Sequence, residues 1–283
     1  MNSKRVLVTG GNGFLGRALI ANFPELDIIT FDVTDGDVTT FDFGIYGAGH
    51  IVHLAARTSV EESWKIPANY YQTNIMGTLN VLEFCRKSGA SMTYVSTYIY
   101  GTPKYLPVDE AHPISPHSVY NHSKYLAEDM CRFYSENFGL PVSVLRLFNL
   151  YGPRQSSDFI IPHIISQALK SEQIEVMDLE PKRDYIYITD VTDAIRLSAG
   201  KSGFNLYNVG SGKSVSVAEL CDIIQDCAGT SKPVICKNVA RKNEVMDVVA
   251  DYSKINAELG WTPKVGLHEG ITKVIENCRL ERK

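Results

Sequence analysis

The stretch Val8-Thr9-Gly10-Gly11-Asn12-Gly13-Phe14-Leu15-Gly16 decides the fold. Residues 5–9 (Arg-Val-Leu-Val-Thr) before it read as a buried strand, and residues 14–23 read as a helix. The glycines therefore sit at a strand-to-helix turn. Gly10 and Gly11 permit a tight turn, Gly13 lets the backbone approach a pyrophosphate, and Gly16 lets the helix pack closely on the strand. The free N–H groups and the positive end of the helix would face the phosphates. Such a turn calls for an acidic residue about 20 positions further on, at the end of the second strand. Asp32 stands 21 residues after Gly11. Its carboxylate suits both ribose hydroxyls of NAD and repels the extra phosphate of NADP. No Arg or Lys lies between residues 18 and 56 to receive that phosphate, so NAD is the expected cofactor.

Outward from this turn, strands are expected at 27–33, 50–55, 91–96 and 141–148, with long helical patterns at 68–88 and 118–138. Short β-rich runs separated by helices imply a parallel sheet covered on both faces. Right-handed crossovers make it an α/β fold with a Rossmann-type, doubly wound parallel sheet. The second half is less regular. It reads as a helix at 160–170, a strand at 173–178, a strand leading into a helix over 184–200, and a strand at 204–209. Helices at 216–227 and 266–279 complete it. No repeat or long Pro/Gly/Ser linker interrupts the chain. The expected division is a Rossmann domain over 1–150, with returning segments near 184–210, and an interleaved, smaller C-terminal α/β substrate-binding lobe over 151–283.

Composition excludes several classes. A net charge of −4 gives no basic field for a nucleic acid. The N-terminus lacks the apolar stretch of a signal peptide, and no apolar run approaches the ~20 residues of a membrane helix. A cytoplasmic protein with no membrane partner is expected. The six cysteines form no Cys-x-x-Cys pair and are expected to be free, and the seven histidines form no ligand cluster, so no metal site is expected.

Chemistry enters at residues 118–126, Ser-Val-Tyr120-Asn-His-Ser-Lys124-Tyr-Leu. Tyr120 and Lys124 are four apart and share one face of a helix. A free tyrosine has a pKa of about 10 and is neutral at pH 7. A nearby ammonium and a positive nicotinamide ring both favour the phenolate. Tyr120 would then take the proton of a hydroxyl as hydride leaves for NAD. Ser96 and Thr97 end the fourth expected strand, at the sheet edge where doubly wound folds bind ligands, and either hydroxyl would hold the substrate oxygen.

Together these residues resemble the extended short-chain dehydrogenase/reductase family, in its NAD-dependent sugar-nucleotide epimerase/dehydratase branch, from Arg5 to about residue 263. The resemblance implies that Gly10, Gly13, Phe14, Leu15 and Gly16 line the cofactor, that Asp37 and Val38 lie near its adenine, and that Leu54, Ala55 and Ala56 lie beside it. Asn74 matches an asparagine that supports the active-site helix. Counting back from Gly101 places Ser96 at the catalytic hydroxyl position, with Thr97 an alternative, and Tyr120 and Lys124 match the catalytic pair and also face the cofactor. Asn149, Arg183 and Arg241 match residues that contact the nucleotide diphosphate. Two arginines on one diphosphate make physical sense, since guanidinium binds phosphate in a bidentate manner. The usual Gly-Asp after the second arginine is Asn243-Glu244 here. The implied partner is a nucleotide-diphosphate sugar, and the family's helix-bundle dimers imply a homodimer through 68–88 and 118–138.

Family dehydratases carry an Asp-Glu pair just after the catalytic hydroxyl residue, decarboxylating members a Glu nearby, and members that epimerise beside a ketone a Cys. Here the stretch is Thr97-Tyr98-Ile99. Epimerisation at C4, through a transient 4-keto sugar, needs only Ser96, Tyr120, Lys124 and a retained NAD, and is the leading expectation. The alternatives are an NAD(P)H-dependent reductase of a 4-keto sugar nucleotide, a dehydratase and, in a different class, a non-catalytic NAD-sensing protein that has kept the fold.

Overall fold

The structure is a computed structural model that describes residues 5–239 and 244–280. Strand β1 (Val6–Thr9) is buried along its whole length, as a strand covered on both faces must be. It leads into α1 (Phe14–Asn22), β2 (Ile28–Phe31) and β3 (His50–His53). A short helix α2 (Val60–Lys65) follows, its N-terminus held by the Ser59 hydroxyl, which accepts from Glu62 N. The expected helix 68–88 is broken into three: α3 (Pro67–Tyr71), a wider π-helical turn (Gln72–Met76), and α4 (Gly77–Ser88). Asn74 is at the centre of that wider turn, and side-chain periodicity alone carries no sign of it.

Next come β4 (Ser91–Thr97), α5 (Val119–Phe138), β5 (Val142–Leu147) and the short β6 (Asn149–Tyr151). The remainder is α6 (Ile160–Lys170), β7 (Ile174–Val176), β8 (Lys182–Tyr187), α7 (Ile188–Ser198), β9 (Phe204–Val209), β10 (Ser214–Ser216), α8 (Val217–Ala228), β11 (Val234–Cys236), α9 (Ser253–Leu259) and α10 (Leu267–Leu280).

The main sheet has the order β2-β1-β3-β4-β5-β9, and every pair in it is parallel. The order reverses between β1 and β3, so the crevice at the carboxyl ends of these two strands is the place for a ligand. Both faces are covered. Val81, Leu82 and Cys85 of α4 and Ala127 and Cys131 of α5 pack on one. Leu19 of α1, Val191, Ala194 and Ile195 of α7 and Ile255 of α9 pack on the other, with Trp261. Leu145 and Leu147 of β5 face the α1 and α7 side while Val142 and Val144 face the α4 and α5 side, the two-residue alternation of a doubly covered strand.

A second core joins α6, α8 and α10 to β7 and β8. Here β8 lies between β6, parallel to it, and β10, antiparallel to it, and β11 pairs with β7 in a separate two-stranded sheet. β6, β10 and β11 have only three residues each, too few to leave a periodic signal, and the sequence reading missed them along with α2 and α9. Among the described residues no helix is long and apolar enough to cross a membrane.

Candidate active site

The glycine-rich turn is built as the sequence implies. Gly10 has φ +74°, and a Cβ there would come within 2.8 Å of Ala55 N. A Cβ on Gly16 would lie 2.5 Å from Gly10 O, so α1 packs on the turn only because the side chain is a hydrogen. Asp32, just beyond β2, accepts from Asn12 N at 2.8 Å and so stands across the mouth of the turn. Behind it, Thr9 Oγ1 lies 2.7 Å from His53 Nδ1 and Thr78 Oγ1 lies 3.1 Å from His53 Nε2. Burial pushes the His53 imidazolium pKa down to about 3, with Lys124 adding to the effect, so this ring is a neutral strap between β1, β3 and α4.

A cleft of about 1180 Å³ opens at the reversal of strand order. Every residue expected to hold the cofactor lines it except Asn74, and Ser96, Thr97, Tyr120 and Lys124 line it too. Asn74 acts at one remove. Its amide accepts from Arg57 N at 2.8 Å, donates to Arg57 O at 3.1 Å, and donates to Ser123 Oγ on α5 at 2.8 Å. The π-helical turn thus ties the cleft wall after β3 to the helix carrying Tyr120 and Lys124.

That helix is set in place on both sides of Tyr120 and Lys124. Ser118 caps it by accepting from Asn121 N at 3.0 Å. Glu128, one turn beyond Lys124, forms a buried ion pair with Arg146 of β5, whose Nη1 also donates to the Tyr100 hydroxyl at 2.9 Å. Burial lifts the Tyr120 phenol to about 12, opposed by hydrogen bonding from the Thr97 hydroxyl. Burial lowers the Lys124 ammonium to about 7. Its Nζ lies 4.2 Å from the centroid of the Tyr94 ring, over a π-face. The Ser96 hydroxyl is buried in the cleft wall and makes no hydrogen bond to protein.

On the substrate side, Asn149 of β6 lines the cleft and donates to Asp184 O at 3.0 Å. Tyr98 stacks on Phe148 at 5.3 Å and hydrogen-bonds Asn149 and Arg183. Arg183 stands behind Tyr98, one step back from the cleft. It does not line the cleft; its guanidinium forms an ion pair with Glu244 and donates to the carbonyls of Lys182 and Val245. The residue at the family's Gly-Asp position has therefore engaged it. Arg241 lies outside the described residues. The sequence reading missed Arg57, His117 and Gln155 in the cleft wall. Arg57 follows the quoted Ala55-Ala56 directly, and His117 precedes the helix cap, so position was the available signal for both. Among the described residues no three His, Cys, Asp or Glu side chains converge as metal ligands.

The family model described as GDP-mannose 4,6 dehydratase matches residues 21–274. The chain belongs to the extended short-chain dehydrogenase/reductase family, in its NAD-dependent sugar-nucleotide epimerase/dehydratase branch. As an extended short-chain dehydrogenase/reductase it is an enzyme. It is 31% identical to a putative UDP-glucose 4-epimerase of Methanocaldococcus jannaschii, across 95% of this chain and 97% of that one. A UDP-glucose 4-epimerase of Thermus thermophilus, solved with NAD, superposes with a TM-score of 0.89 at 29% identity, covering 97% of this chain and 99% of that one. RMD from Pseudomonas aeruginosa, solved with NADPH, superposes with a TM-score of 0.90 at 27% identity, covering 99% and 100%. Relatives named as epimerase, reductase, decarboxylase and dehydratase all share this scaffold.

Proposed function

We propose that the protein is an NAD-dependent epimerase that inverts C4 of a nucleotide-diphosphate sugar through a transient 4-keto sugar. The observation that carries this is the charge distribution of the cleft. Among the described residues its only carboxylates are Asp32 and Asp37, at the adenine end, while the Tyr120 end has a phenol, an ammonium and two hydroxyls. One proton-transfer pair without a second acid–base carboxylate suits removal and return of a hydroxyl proton, and not elimination of water.

The residues present fit the cofactor. Gly10, Gly13 and Gly16 leave a cradle that a Cβ would fill or distort, and Asp32 stands where ribose hydroxyls would lie. When bound, NAD supplies the hydride acceptor and donor at C4. Tyr120 takes the C4 hydroxyl proton and, once the 4-keto sugar has turned over in the site, gives a proton back to O4 as hydride returns to C4 on its opposite face. Lys124 favours the phenolate, Ser96 holds the substrate oxygen, and Thr97 hydrogen-bonds Tyr120. Asn149 holds the diphosphate, with Arg183 joining it once Glu244 yields. The same reading makes the protein a homodimer, and the exposed Phe133 of α5 offers apolar surface for a helix bundle between copies. The likenesses to RMD solved with NADPH and to a GDP-6-deoxy-D-mannose reductase support a second reading, reduction of a 4-keto sugar nucleotide.

Purified protein, denatured without added cofactor, should release stoichiometric NAD detected by mass, and the native protein should interconvert C4 epimers of a sugar nucleotide. Protein that is empty, prefers NADPH and turns over only keto sugars would replace this reading with the second.

A further inference from the structure

Three histidines, His50, His53 and His112, are buried, and His117 is half-buried. His50 has Nδ1 2.8 Å from Ser91 Oγ and Nε2 3.2 Å from Thr93 Oγ1. His53 is held at both nitrogens by Thr9 and Thr78, and His112 by Lys104 N at 2.9 Å and Pro113 O at 2.9 Å. These rings are structural, with both nitrogens satisfied. His117 is different: its Nδ1 is buried and makes no hydrogen bond to protein, although its ring lines the cleft. Buried polar atoms are almost always paired, so an exception in a cleft wall points to a ligand.

The fold holds this residue where a substrate would meet it. His117 directly precedes Ser118, the cap of α5, and stands three residues before Tyr120. Tyr98, Tyr120 and Asn149 line the same cleft, and the charges of Arg183 and Glu244 bear on Tyr98 as they do on His117. The Arg183 guanidinium and the Glu244 carboxylate are the charges that bear on the ring. Burial and Arg183 lower its pKa, so the imidazole is uncharged at neutral pH. A neutral imidazole has one donor and one acceptor nitrogen, the complement of a sugar hydroxyl and a poor match for a phosphate oxygen.

We propose that His117 is a substrate-contacting residue whose Nδ1 hydrogen-bonds a hydroxyl of the glycosyl group, between the Tyr120 end of the cleft and the Arg183 side. This rests on the sugar-nucleotide reading above and deepens it. His117 belongs to recognition of the sugar and leaves the cofactor and the nucleoside diphosphate alone.

The test is calorimetric binding to the NAD-loaded enzyme with two pairs of probes, UDP-glucose with UDP and GDP-mannose with GDP. For the pair that binds, His117→Ala should weaken the sugar nucleotide by about tenfold, the effect of one lost hydrogen bond, and leave the parent diphosphate and NAD unchanged. His117→Asn, which restores a polar atom near the Nδ1 position, should recover most of the loss. His117→Phe keeps the bulk of the ring without its nitrogens and should lose as much as alanine, so it carries the test if the alanine variant does not fold. Wild-type affinity in both His117→Ala and His117→Phe overturns the proposal, as does an equal loss for sugar nucleotide and diphosphate. Wild-type protein that binds neither sugar nucleotide overturns the sugar-nucleotide reading itself, and this inference with it.

Discussion

Tyr120 and Lys124 lie one turn apart on α5, both in the wall of the cleft, and burial moves them in opposite directions, the phenol up to about 12 and the ammonium down to about 7. Each shift disfavours the charged form. Without a bound cofactor the phenol is therefore neutral at physiological pH and Lys124 only partly protonated, and the positive nicotinamide ring would supply the field that draws the phenol toward phenolate.

Replacing Tyr120 by Phe removes the proton-transfer group without altering the ring that packs in the wall. Turnover should fall by roughly 10²–10⁴-fold while NAD still binds with wild-type affinity. Steady-state kinetics and cofactor titration check this, and full activity would dismiss Tyr120 as the base.

Ser96 and Thr97 should separate by phenotype. The Ser96 hydroxyl has no protein partner, so Ser96→Ala should lower kcat/KM about tenfold or more at every pH. Thr97 favours the Tyr120 phenolate, so Thr97→Ala should raise the pKa of the base. The rising limb of the pH profile would then move to higher pH. The reverse pattern would exchange the two roles.

Lys124 costs stability in the free protein. Its folded-state pKa of about 7 lies below the ordinary lysine value of 10.5, so between these values the unfolded chain binds more protons and stability rises with pH. Lys124→Met should therefore melt several degrees higher than wild type at pH 7, and the gain should shrink toward pH 10. Scanning calorimetry across this range reads it directly; a constant difference would show that Lys124 keeps its proton in the folded protein as it does in the unfolded chain.

Asp32 should set the choice of cofactor. Its carboxylate lies 2.8 Å from Asn12 N and would face an NADP ribose phosphate. Asp32→Ala should shift the NAD-to-NADP affinity ratio toward NADP by at least about tenfold, as expected from removing a close like charge. An unchanged ratio in a fluorescence titration would place the discrimination elsewhere.

The parts of this molecule that were legible in the sequence are those with a repeating or local cause. β1, the glycine turn and α1 follow from one continuous stretch of sequence, from Val6 to Asn22. β5 and β9 each have four apolar residues in six, and Tyr120 and Lys124 share a helix face. What was not legible depends on contacts distant in sequence. The π-helical turn at Asn74 is fixed by partners at Arg57 and Ser123. The engagement of Arg183 by Glu244 joins residues 61 apart. His117 could be distinguished from His50, His53 and His112 only when the neighbours of each ring were known.

β9 has a consequence for any attempt to cut this enzyme into parts. The chain leaves the main sheet after β5, builds most of the second lobe's first half, and returns as β9 to complete the sheet against β5. A fragment ending near residue 150 would have every residue of the cofactor turn and the Tyr120–Lys124 pair, yet β5, buried on both faces, would become a naked edge. Such an edge templates pairing with other chains. The nucleotide-binding half of this protein is therefore not a transplantable module: expressed alone it should self-associate, and fusions or split reporters that divide the chain there should fail to reassemble unless residues 204–209 travel with the first piece.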